Sequence, residues 1–150
     1  MFTRILLPTD FSTSAASALS TVRQHFPEAT VRHLHIISAQ RVATLYTDTF
    51  TSPVDAADAQ RTLQTESVER LKELAQGDEE CVAVVGQPAE TILTQAEQWR
   101  PDLIVMGTHG RTGLAHFLNG SVAEDVVRHA RLPVLVVHEW VGETSSPSQV

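Results

Sequence analysis

Short apolar runs alternate with stretches whose apolar residues recur every three or four positions, and this alternation carries most of the fold information in the chain. Ile5 to Pro8 reads as a strand, as do Thr30 to Ile37, Val82 to Val85, Asp102 to Met106 and Val134 to Val137. Helical patterns lie between them. Phe11-Ser12 opens the first, with Ala15, Ala16, Leu19 and Val22 at core spacing and Pro27 marking its end. Ala56 to Ala75, carrying Leu63, Val68, Leu71 and Leu74, predicts a long helix closed by Gly77. Pro88 starts another where its missing N–H is harmless, and Pro101 stops it. Val122, Val126, Val127 and Ala130 then fall at helical spacing behind Ser121, a natural N-cap. Ser38 to Asp55 is rich in threonine and has no clear period, so a long connection is expected there, of the kind that serves as a lid or partner-binding segment.

Strands alternating with helices predict an α/β fold: an open five-stranded parallel sheet with right-handed crossovers and helices on both faces. The expected strand order is 3-2-1-4-5. The chain then winds outward from strand 1 in one direction and returns to build strand 4 on its other side, leaving a crevice above the carboxyl ends of strands 1 and 4. Asp10 ends the first strand and Gly107 the fourth, so these sequence-distant residues meet at the switch point. One domain is expected over residues 1 to 140, with 141 to 150 a disordered tail.

The stretch from Gly107 to Ser121, GTHGRTGLAHFLNGS, joins the end of the fourth strand to a helix start. Helix N-termini present unpaired N–H groups and partial positive charge, and glycines let backbone approach phosphate oxygens closely, so the stretch reads as an anion-binding loop. A Walker loop is excluded because the only lysine is Lys72. A dinucleotide fingerprint is excluded because the first strand-to-helix turn has no glycine. What stands here is Gly107-x2-Gly110-x9-Gly120-Ser121.

That pattern, with ILLPTDFS at Ile5 to Ser12, HLHIIS at His33 to Ser38, the VGQPAE block from Val85, and LPVLVV near the end, resembles the nucleotide-binding universal stress proteins over roughly Ile5 to Val137. The resemblance implies an adenine nucleotide alpha-hydrolase-like sheet that binds ATP, with Mg²⁺ as its companion ion. It places Asp10 near the ribose, Ile37 near the adenine, and Gly107, Gly110, Gly120 and Ser121 around the phosphates. Pro8, Thr9, Met106, His109, Arg111 and Val122 complete the implied nucleotide-binding set. Asn119 departs from the apolar residue common before the third glycine. The resemblance also implies a homodimer, formed through the last strand, Val134 to Val137.

Charge and composition narrow the choice of partner. Eleven basic against 18 acidic residues give a net charge of −7, unlike a nucleic-acid-binding footprint. No apolar run approaches the ~18 residues of a membrane span, the chain enters a strand within five residues, and a single cysteine, Cys81, suits a reducing compartment; a cytoplasmic location is expected. His33 and His35 share a strand face, yet no third ligand accompanies them at zinc spacing, so no metal site is expected. Cys81, Trp99 and Trp140 read as packing residues. Asp10 has a second reading as a helix cap, and Arg111 as a solvated loop residue.

Hydrolysis requires a positioned water and charge stabilisation on the transferred group, for which Arg111 is the one visible cation in the loop. No catalytic residues are assigned. A nucleotide-dependent switch or sensor is therefore the first functional expectation. A slow ATPase or autophosphorylating protein is the second, and an interaction module with an empty cleft the third.

Overall fold

The computed structural model describes residues 1–48, 53–108 and 122–139. The elements run β1 (Arg4–Pro8), α1 (Thr13–His25), β2 (Thr30–Ser38), α2 (Ala39–Asp48), α3 (Pro53–Leu74), β3 (Glu80–Gly86), α4 (Pro88–Trp99), β4 (Leu103–Thr108), α5 (Val122–His129) and β5 (Val134–His138). All strands pair in parallel, in the order β3-β2-β1-β4-β5, as the alternating pattern predicts.

The strands are apolar at nearly every position because both faces of the sheet are covered. Leu6, Leu34, Ile104 and Met106 point to one side and pack with Ile92, Ala96 and Trp99 of α4 and with Ala123 and Val126 of α5. Ile5, Leu7, Val31, Leu103 and Val105 point to the other, against Ala18 and Val22 of α1. Trp99 closes the lower edge of the first layer, lying under two guanidinium groups: those of Arg4, 4.5 Å from the ring centroid, and Arg32, at 4.6 Å.

The 38 to 55 segment corrects the expectation of an irregular connection, since residues 39–48 form α2. Val42, Leu45 and Tyr46 recur at helical spacing, but Thr44 between them and Thr47 just after carry low helix propensity and hid the period. Within this helix Thr44 donates its hydroxyl to the Gln40 carbonyl at 3.0 Å. Val42 of this helix is buried.

Candidate functional site

The sheet opens at the switch point. β1 stays paired with β2 from Arg4 through Pro8, and β4 with β5 from Ile104 through Thr108. Between β1 and β4 only Ile5↔Leu103 and Leu6↔Ile104 pair. Above those two pairs each central strand follows its outer neighbour, and the crevice forms where parallel sheets of this order bind ligands.

The turn that leaves β1 forms one wall. Thr9 extends β1 through its N–H to the Leu34 carbonyl at 2.8 Å. Its hydroxyl accepts the Phe11 N–H at 3.0 Å, and Asp10 Oδ1 accepts the Ser12 N–H at 3.0 Å. Ser12 then caps α1, its Oγ accepting the Ala15 N–H at 3.2 Å. The cap is thus Ser12, two residues beyond Asp10, which corrects the reading of Asp10 as the cap itself; Asp10 instead fixes the backbone that presents Ser12. Asp10 is exposed at the crevice.

Phe11 has φ +62°, a conformation bulky residues adopt only when their surroundings hold them there. The surroundings are visible. The Phe11 ring packs on the His35 imidazole, with centroids 4.7 Å apart, and the Arg70 guanidinium carbon lies 3.8 Å from the ring centroid. His35 donates from Nδ1 to the Thr9 carbonyl at 2.8 Å, so it braces the same turn from β2. Phe11 and His35 are the positioning residues that sequence reasoning missed; neither periodicity nor composition marks them. Their roles also account for His35 without a metal, while His33 bonds Glu79.

On the opposite wall, Gly107 pairs with Val137 near the end of β4. A Cβ there would lie 2.4 Å from the backbone carbon and oxygen of Ser14 and 2.7 Å from the Ala15 nitrogen. Gly107 therefore has a structural reason of its own: it lets β4 meet the first turn of α1. The Met106 side chain is buried in the layer beneath α4 and α5. Pro8 is likewise buried, and Ile37, 4% exposed, ends β2 on the side of His33 and His35. Val122 opens α5 with its side chain partly exposed. His109, Gly110, Arg111, Gly120 and Ser121 lie outside the described residues, as do Trp140 and the tail from 141 to 150.

At the lower end of the same sheet face, Glu79 accepts from Arg23 Nη2 at 2.7 Å, from His33 Nε2 at 2.8 Å and from the Gln76 N–H at 2.9 Å. Burial pushes its carboxyl up, but the bonds from Arg23, His33 and Gln76 win and hold it down to about 2. Burial pushes the neighbouring Cys81 thiol up, with Glu79 adding to it, which suits a packed residue rather than a reactive one.

The profile of the universal stress protein family matches residues 1–138. Universal stress protein MJ0577 of Methanocaldococcus jannaschii is 33% identical over 91% of this chain and 95% of its own. Its solved structure superposes with a TM-score of 0.72, covering 94% of this chain and 99% of that one. A universal stress protein solved in complex with cAMP shares the fold at 23% identity and TM-score 0.63, covering 93% of this chain and 98% of its own. An Arabidopsis thaliana member with AMP bound does so at 22% and 0.57, covering 97% of each. This chain belongs to the universal stress protein family. No helix among the described residues is long and apolar enough to cross a membrane.

Proposed function

We propose that this protein binds an adenine nucleotide, ATP with Mg²⁺, in the crevice above β1 and β4 and acts in the cytoplasm as a nucleotide-dependent switch. The observation that carries the reading is the early end of the β1/β4 ladder at Leu6 and Ile104, which opens the sheet between Asp10 and Gly107. Two proteins of the same fold hold cAMP and AMP, which agrees with an adenine nucleotide as the ligand class. In this reading Asp10 takes a ribose hydroxyl, Ile37 lies under the base, and the backbone from Gly107 to Gly110, with Gly120 and Ser121, surrounds the phosphates.

Calorimetric titration of nucleotide-free protein with AMP, ATP and Mg²⁺, and GTP tests it. Binding of the adenine nucleotides without turnover is expected, with GTP much weaker. Asp10→Ala is expected to weaken AMP binding by about 1–3 kcal/mol, the scale of a charged hydrogen bond. Wild-type affinity in that variant removes Asp10 from the site. Absence of heat with every nucleotide leaves an interaction module with an empty cleft.

The same reading includes a dimer through β5. That strand lies at the sheet edge, hydrogen-bonded on one side to β4, and an exposed ladder of this kind is a pairing surface. Light scattering at micromolar concentration is expected to give twice the 16.4 kDa mass of the chain. A purely monomeric species overturns the dimer.

A further inference from the structure

α1 packs on β4 and β5, and α3 on β2 and β3, leaving a groove of about 270 Å³ between the two helices. Leu7, Ala15, Leu19 and Leu74 line it. So do Phe11 and Arg70, and part of the Phe11 ring therefore has no packed side chain against it. Two arginines reach across. Arg23 of α1 donates to the Leu74 carbonyl of α3 at 3.2 Å, and Arg70 of α3 reaches back to the turn that leads into α1.

Arg70 is exposed, with Glu66 one turn before it and Glu73 one turn after, at the spacings that pair side chains along a helix. Among the described residues it pairs with neither carboxylate; its guanidinium carbon instead lies 3.8 Å from the centroid of the Phe11 ring. Phe11 stands at φ +62° in the middle of a turn closed by two side chains: its own N–H goes to the Thr9 hydroxyl, and the Ser12 N–H goes to Asp10 Oδ1. The left-handed conformation is unfavourable for a residue with a Cβ, so contacts of the ring must hold it there. A relaxation of Phe11 to negative φ reverses the path of the chain between Asp10 and Ser12. The bond from the Ser12 N–H to Asp10 is then lost, and the carboxylate leaves its place at the crevice.

We propose that Arg70 is a positioning residue for Asp10: seated on the Phe11 ring, its guanidinium holds the turn in the left-handed conformation that presents the carboxylate to the crevice. The inference rests on the reading of Asp10 as a nucleotide ligand. It puts part of that site's geometry under the control of α3, a helix that contributes none of the nucleotide-binding set.

Calorimetry with AMP and amide spectra of the ligand-free full chain test it in Arg70→Gln, Arg70→Lys, Phe11→Gly and the variant carrying both Phe11→Gly and Arg70→Gln. Arg70→Gln is expected to weaken AMP binding about two- to fivefold, the scale of one exposed cation–π contact, and to shift the Asp10 and Ser12 amide signals before any ligand is added. Arg70→Lys keeps a cation over the ring and is expected to restore both. Glycine takes the left-handed conformation unaided, so in the Phe11→Gly background Arg70→Gln is expected to change neither the affinity nor those signals. Motionless Asp10 and Ser12 signals, or wild-type affinity, in Arg70→Gln overturn the proposal. A loss of equal size in both backgrounds also overturns it, because it marks long-range attraction between the guanidinium and the phosphate. Failure of AMP to bind the wild type sinks the nucleotide reading, and the ligand-free spectra then decide alone whether Arg70 holds the turn.

Discussion

Glu79→Ala is expected to destabilise the fold by about 2–4 kcal/mol, a drop in melting temperature on the order of 10 °C for a chain of this size. Glu79 joins three elements: Arg23 at the end of α1, His33 in the middle of β2, and the turn before β3 through the Gln76 N–H. Its side chain is 12% exposed and that of Arg23 25%, so the removal leaves a cation half-desolvated and a buried imidazole with both nitrogens unpartnered. The figure sits below that of a fully buried pair because water reaches Arg23. The same carboxylate gives a pH dependence of definite sign. Its folded value of about 2 lies below its ordinary 4.5, so the stabilisation is complete above about pH 4.5 and is lost as the pH falls towards 2. Denaturant melts of the wild type and Glu79→Gln at pH 7, 4 and 2.5 check this. The gap between them is expected to narrow at the acid end, and a pH-independent gap contradicts the account.

The legible parts of this molecule are those in which one residue's environment repeats along the chain. Buried parallel strands require continuous apolar runs, and the prolines at 88 and 101 punctuate the helix between two of them, so sheet order and switch point follow from the sequence. Period-two alternation also separates Ile104 and Met106 from Leu103 and Val105, a signal sufficient to place the Met106 side chain in the core rather than the crevice. The positive φ of Phe11 is different in kind. The Phe11 ring is held by His35, 24 positions later, and by Arg70 on a helix beyond that, and no local rule expects a bulky residue there. The same holds for Glu79. A glutamate beside a second glutamate in a turn reads as a solvated pair, yet Glu79 reaches Arg23 and His33 while Glu80 pairs with Arg32.

Gly107→Ala is expected to cost about 1–3 kcal/mol with no nucleotide present, and Gly107→Val more, because the added atoms meet backbone rather than a side chain able to turn away. The nearest groups are the Ser14 carbonyl and the Ala15 nitrogen in the first turn of α1, and Ser14 is itself buried. Relief requires α1 to shift as a unit, and α1 is tied through its Ser12 cap to the Thr9–Ser12 turn that carries Asp10. The alanine variant is therefore expected to lose nucleotide affinity along with stability, although the added methyl group meets the first turn of α1. Melting curves without ligand and calorimetry with AMP separate the two effects. Unchanged stability with lost binding assigns Gly107 to direct contact with phosphate alone, and lost stability with wild-type affinity shows that α1 moves without carrying the turn. A fall in both ties the two walls of the crevice into one mechanical unit, in which the close approach of β4 to α1 sets the position of the β1 turn.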